Sequence, residues 1–281
     1  MANSHGAPLA ASILVALCCS ISAFSQGKRN AVECFLNGIR GGNVRVVDLT
    51  HTIDKGSPYW PEETPGTPFH TSIAATYQKD GYFARNISIP EHFGTHMDAP
   101  IHFDPEGLSV NRIPAGKFIA PAVMIDVSAD VKSNADYRVT AKDIENWIKI
   151  HGTIPSGAVV LVRTGWGDRW PSQEKYMNAD AKGVLHFPGL SLEAARYLLE
   201  HAHPVAVGID TASIDYGASK DFPVHHLTMS HGLYHLENVA NLDKLPPSGF
   251  GVIALPLKLG GGSGSPARVL ALVPEEPAAH H

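Results

Sequence analysis

Two short stretches constrain this chain most: residues 157–162, Gly-Ala-Val-Val-Leu-Val, and residues 205–209, Val-Ala-Val-Gly-Ile. Neither alternates polar with apolar residues as a strand with one wet face does, so each reads as a strand covered on both sides. Between them Ser191 caps a helix that runs through Leu198 and Leu199 and stops before Pro204. Upstream, residues 121–127 read as another buried strand. Thr140 then caps a helix with Ile144, Trp147 and Ile148 on one apolar face, ended by Gly152.

The flanks add more strands. Residues 27–42, with Cys34, Phe35, Leu36 and Ile39, predict a short amphipathic helix ending at Gly41 and Gly42, and residues 43–49 a strand. Residues 69–77 and 84–89 predict a hairpin joined through 78–81. Residues 250–257 and 267–273 close the chain as strands around the glycine-rich stretch 260–265. That stretch lacks the Walker lysine and runs into a strand, so it reads as a turn and not as a phosphate loop. Strands outnumber helices, and no repeat or low-complexity linker intervenes. The expectation is a single α/β domain with a mixed sheet or partly closed barrel and helices packed outside.

With 44% hydrophobic and 17% charged residues, the 281-residue chain carries enough apolar material for a core. A formal net charge of -5 gives no footprint for nucleic acid or an anionic membrane. Residues 9–24 form an apolar run too short for a comfortable membrane span, followed by small residues near Ala23 and Ser25, although no Lys or Arg precedes it. Residues 1–25 therefore read as a signal peptide and 26–281 as the mature domain, secreted and free of the membrane. Cys34 would then be the only cysteine left, which excludes an internal disulfide.

The chemistry concentrates in residues 90–102. Within eleven positions lie His92, His96, His102 and Asp98, bracketed by Pro90 and Pro100. Imidazole and carboxylate suit zinc, manganese and iron. Packing alone explains His92, His96 and Asp98 poorly, because buried imidazole and carboxylate need partners and a cation supplies one. His102 is either a fourth ligand or a base beside the metal. A second cluster holds His225, His226, His231, His235 and Glu237. If His225 and Glu237 meet the first cluster, Asp98 could bridge two metals. The competing reading has His231, His235 and Glu237 lining a polar helix face. Asp210 and Asp215 follow a buried strand, where α/β proteins place site residues, although loop capping is the commoner role. Tyr59 and Trp60 stand in a proline-rich loop, and aromatics held that way make good pocket walls. No Gly-x-Ser-x-Gly elbow offers a competing nucleophile.

The pattern His92-x-Gly94-Thr95-His96-x-Asp98-x-Pro100-x-His102 resembles the signature of the metal-dependent cyclase family, which includes bacterial kynurenine formamidases and isatin hydrolases. The resemblance extends over residues 47–51, 59–61, 162–166, 208–211 and 256–266. It implies a swivelling β/α/β fold, a homodimer or homotetramer, one or two Mn2+ or Zn2+ ions, and hydrolysis of a cyclic amide or lactam. Isatin opening to isatinate is the first expectation and N-formyl-L-kynurenine hydrolysis the second. By position, His92, His96 and Asp98 would bind the first metal, and His102 would transfer protons. His225 and Glu237 would match the second-metal ligands of the formamidase branch. Tyr59, Trp60 and Phe103 would clasp a flat aromatic substrate. The resemblance implies a single manganese and no such glutamate in isatin hydrolases. Glu237 therefore points to one branch, while the sequences 241–247 and 262–266 point to the other. A non-catalytic metal-binding or protein-binding module on the same scaffold is the reading from another class; it would not need His102.

Overall fold

The structure is a computed structural model that describes residues 30–61, 66 and 68–275; the expected signal segment 1–25 lies outside the described residues. The chain divides into two compact units, one holding Val47–Leu272 and the other the two ends.

In the terminal unit, helix α1 (Ala31–Arg40) forms where the amphipathic pattern predicts it. The Asn30 side chain caps it by accepting from the Val32 N–H, and Glu33 and Arg40 complement the helix dipole. Strand β1 (Val44–Asp48) begins in this unit. Beside it the Glu275 N–H donates to the Asn43 carbonyl, and the Glu275 carboxylate pairs with Arg45.

The larger unit contains a closed ring of seven strands. Three parallel pairings join β5 (Ile119–Asp126), β7 (Val159–Arg163), β9 (Ala206–Ile209) and β10 (Tyr234–Glu237). Antiparallel pairings continue through β4 (His96–Asp98), β12 (Gly264–Pro274) and β11 (Phe250–Pro256) back to β5. The pairing of β4 with β12 closes the ring, and β1 adds to β12 as an eighth strand. The mixed, partly closed sheet of the sequence reading is therefore realised, with closure complete around the seven. Val159, Val160 and Leu161 are each 0% exposed, as an unbroken apolar run requires. Burying each such side chain contributes roughly 1.5–3 kcal/mol.

Helices α2 (Ala141–His151), α3 (Leu192–His201) and α4 (Pro223–Ser230) cover one face of the parallel part. Ile144, Trp147, Ala194, Ala195, Leu198 and Val224 join Val160, Val162, Val207 and Ile209 in one core. A capping box starts α2: the Asp143 N–H donates to Thr140 Oγ1 at 3.2 Å, and the Thr140 N–H donates to Asp143 Oδ2 at 2.7 Å. Ser191 caps α3 through the Ala194 N–H. The hairpin of β2 (His70–Ala75) and β3 (Ala84–Ser88) is mostly exposed. The short strands β6 (Arg138–Val139) and β8 (Gly189–Leu190) pair in parallel. Among the described residues no helix is long and apolar enough to cross a membrane.

One expectation is corrected. His231, His235 and Glu237 do not share a helix face. Gly232, with φ 73°, turns the chain out of α4 and leaves His231 exposed at the helix end. His235 and Glu237 instead stand two apart on β10, on one face of a strand.

Candidate metal centre

Strand pleating builds the site. On β4, His96 and Asp98 are two residues apart and share a face, while Met97 points the other way. On the neighbouring β10, Glu237 lies opposite His96 and His235 opposite Asp98. Helix α4 brings His225 from the side. Its start is anchored by Asp215, whose carboxylate accepts from the Val224 N–H at 3.1 Å and the His225 N–H at 3.0 Å. A carboxylate at a helix N-terminus is held by the exposed amides and the dipole together. His96, Asp98, His225 and Glu237 are all buried.

The histidine rings are oriented by acceptors around the site. His96 Nδ1–H donates to the Gly94 carbonyl at 2.9 Å, which turns Nε2 toward Asp98 Oδ1 at 3.0 Å and Glu237 Oε2 at 3.5 Å. His225 Nδ1–H donates to Asp215 Oδ2 at 2.8 Å, which turns Nε2 toward Glu237 Oε1 at 3.3 Å and Asp98 Oδ2 at 3.6 Å. Ser263 Oγ–H donates to Glu91 Oε2 at 2.9 Å, so Ser263 accepts from His92 Nε2–H at 2.9 Å. His92 Nδ1 then faces Asp98 Oδ1 at 2.6 Å. One nitrogen bonded outward and the other aimed inward is how metal-ligating imidazoles are held. Asp98 Oδ2 is buried with no hydrogen-bond partner, a cost that a cation removes. The donors thus fit a divalent metal in two groups, His92 with His96 and Asp98, and Asp98 with His225, His235 and Glu237.

Charge agrees with this. Burial opposes a charge on His96, but the Asp98 and Glu237 carboxylates outweigh it and push the imidazole up to about 9. Burial likewise resists ionisation of Asp98, yet the surrounding imidazoles hold it well below the usual carboxylate range. Burial and the neighbouring Asp98 push Glu237 up. A field that stabilises a proton on imidazole also attracts a metal cation.

His102 lies outside both donor groups. Its ring stacks on His92 with centroids 4.0 Å apart, and it keeps access to solvent. Burial of part of the ring, helped by His92, His225 and His96 against the pull of Asp98, lowers its pKa to about 4. At neutral pH it is an uncharged proton acceptor.

The sequence profile of the family described as "Putative cyclase" matches residues 47–216, more than half of the chain. The isatin hydrolase of Roseibium aggregatum is 35% identical over 250 residues, covering 83% of this chain and 94% of the relative. The chain belongs to the cyclase family. A kynurenine formamidase of Bacillus cereus is 29% identical over 228 residues, covering 80% of this chain and 95% of the relative. The crystal structure of an isatin hydrolase bound to the product analogue thioisatinate superposes with a TM-score of 0.82 at 33% identity, covering 87% of this chain and 98% of that one.

Aromatic rings stand beside these donors. Phe103 lies 4.6 Å from the His225 ring and 5.5 Å from Phe222, and Phe222 lies 6.2 Å from Trp60. Trp60 also meets Phe187 edge-on at 6.1 Å. Trp60 and Phe103 are therefore linked through Phe222, which the sequence reading did not single out. Phe222 holds the left-handed φ of 42° at the start of α4, an uncommon conformation for a bulky residue and often a functional one. An apolar N-cap residue before Pro223 was the available signal. Tyr59 is fixed by its backbone, whose N–H donates to Gln173 Oε1 at 2.8 Å and whose carbonyl accepts from Gln173 Nε2 at 2.9 Å. Glu91, Asp215 and Ser263, which orient the ligands, were also missed as orienting groups. Asp210 is not brought to the centre: it accepts from the Thr164 N–H, Thr164 Oγ1 and the Gly165 N–H, the loop-capping role.

Proposed function

We propose that this chain opens the cyclic amide of isatin to isatinate. It is a hydrolase of amide C–N bonds, and the observation that carries the proposal is the buried pair His96 and Asp98 with the half-buried His92 beside them and His102 stacked on the His92 ring. His92, His96 and Asp98 would hold a manganese or zinc ion, which when bound would supply Lewis acidity to acidify water and polarise the substrate carbonyl. His102 accepts the proton as the water oxygen adds to the carbonyl carbon. It then delivers that proton to the ring nitrogen as the C–N bond breaks, leaving an aryl amine and a carboxylic acid that releases its own proton to solvent to become the carboxylate. Trp60, Phe103 and Phe222 hold the flat ring and keep bulk water away, with Tyr59 positioning the loop that carries Trp60. The thioisatinate held by the structurally similar isatin hydrolase supports a product of this class.

N-formyl-L-kynurenine is the second substrate reading, supported by the formamidase relatives and by His225 and Glu237, which would help hold a second ion. A panel comparing isatin with N-formyl-L-kynurenine by absorbance, on Mn2+-loaded and Zn2+-loaded protein, separates the two. Turnover of neither leaves the non-catalytic module. His102→Ala is expected to keep its metal and lose about 10²–10⁴-fold in kcat; unchanged turnover removes the base assignment.

A homodimer or homotetramer is also part of the proposal. Ile73, Tyr77, Tyr82, Phe83 and Ile87 around the β2–β3 hairpin are each more than half exposed, an apolar set that a second copy would cover. Light scattering of wild type and Phe83→Lys tests it. Secretion is proposed from residues 9–25 and predicts an N-terminus near Gln26 in the exported protein; an intact Met1 overturns it.

A further inference from the structure

His235 is the donor that neither the proposed reaction nor the sequence signature uses. It lies on β10 directly opposite Asp98 and is 0% exposed. Its Nε2 is 2.7 Å from Thr228 Oγ1. The single hydroxyl proton of Thr228 is already given to the Val224 carbonyl at 2.7 Å. Thr228 must therefore accept, and His235 must carry its hydrogen on Nε2. The lone pair of the neutral ring is then on Nδ1, and Nδ1 faces Asp98 Oδ2 at 3.8 Å. That separation is too long for a hydrogen bond, and both atoms are buried without a partner. A lone pair against a carboxylate oxygen, both shielded from water, is repulsive and doubly unsatisfied. A cation between them removes both penalties.

The other donors of the inner group face the same point. His225 Nε2 is 3.6 Å from Asp98 Oδ2 and 3.3 Å from Glu237 Oε1. One ligand atom from each of Asp98, His225, His235 and Glu237 lies within 4.8 Å of every other. Four ligand atoms each about 2.1 Å from a tetrahedral zinc stand roughly 3.4 Å apart. We propose that His235 Nδ1 is the fourth protein ligand of an inner divalent-metal site completed by Asp98, His225 and Glu237. The inference rests on the metal reading above and adds a division of labour. Four protein donors close the inner site and make it structural, whereas His92, His96 and Asp98 leave a position free for water and substrate. The two oxygens of Asp98 are split between the groups, Oδ1 toward His92 and His96 and Oδ2 toward His225 and His235.

The test loads chelator-stripped full-length protein with Zn2+ and counts bound ions by elemental analysis after dialysis. Wild type is expected to keep two, and His235→Leu one, with affinity for the second ion reduced at least about 100-fold. Two ions held with unchanged affinity in His235→Leu overturn the inference. His92→Leu keeps the test independent of whether the His235 variant folds. It weakens the outer group alone, and X-ray absorption of its one-zinc form is expected to show two imidazoles and two carboxylate oxygens. One imidazole there overturns the inference but leaves the outer site intact as a reading; wild type that binds no zinc or manganese overturns both.

Discussion

Replacing Gly264 with alanine sets a methyl group against the ring of His92. A Cβ built at Gly264 lies 2.8 Å from both His92 nitrogens and closer still to Cε1. Ordinary carbon contacts begin near 3.5 Å, so the ring must retreat by about 1 Å. It has nowhere to go without loss. Nδ1 faces Asp98 Oδ1 at 2.6 Å, Nε2 donates to Ser263 Oγ at 2.9 Å, and the ring stacks on His102. Moving a ligand by about 1 Å breaks those contacts, and displacement on that scale costs roughly 10²-fold in rate. We expect Gly264→Ala to lower kcat on isatin about 100-fold and to shift the Mn2+ dependence to about 10–100-fold higher concentration. Initial rates across a Mn2+ titration, with bound metal counted by elemental analysis, provide the measurement. Gly260→Ala is the control, since a Cβ there meets nothing within 4 Å. Wild-type turnover and metal content in Gly264→Ala would refute the placement of His92 in the site.

Further outcomes follow from the same geometry. Chelation is expected to abolish activity and lower the melting temperature; restoring Mn2+ or Zn2+ to about a thousand times its Kd returns about 4.1 kcal/mol of stability, and a melting curve indifferent to metal contradicts the fit of the donors. Phe222→Asn keeps a residue suited to the left-handed backbone but removes the ring joining Trp60 to Phe103. Steady-state kinetics should show KM for isatin rising about tenfold with kcat little changed, the worth of one aromatic contact; an unchanged KM removes Phe222 from the pocket wall. Burial lowers His51 from 6.5 to about 4, so between those values the unfolded chain binds the extra proton. Its contribution is complete above pH 6.5, declines as pH falls toward about 4, and changes no further below that. Urea midpoints from pH 4 to 8 should show a shallower acid decline in His51→Gln than in wild type, and parallel curves would count against it.

Local chemistry explains what was legible without the fold. Strands β7 and β9 announce themselves by unbroken apolar runs, α2 and α3 by Thr140 and Ser191, and each signal lies within a few residues of its effect. His92, His96 and Asp98 were readable for the same reason, since a two-residue step on β4 already puts His96 and Asp98 on one face. The four-residue step from His231 to His235 misled, because it fits a helix and only the turn at Gly232 moves His235 onto a strand. The outer acceptors were out of reach: Ser263 is 171 residues from the His92 ring it orients, and Asp215 is recognisable only once α4 stands beside it.

By itself, then, the amino-acid order determined an α/β chain with buried strands and a histidine cluster whose donors suit a metal. Only the tertiary structure decided that β4 lies between β10 and β12, and this closure has a physical consequence. It sets Glu237 and His235 opposite His96 and Asp98, and it places Gly264 where His92 needs room. Register across a sheet is a relation between distant segments, fixed by hydrogen bonds and packing that no local pattern contains.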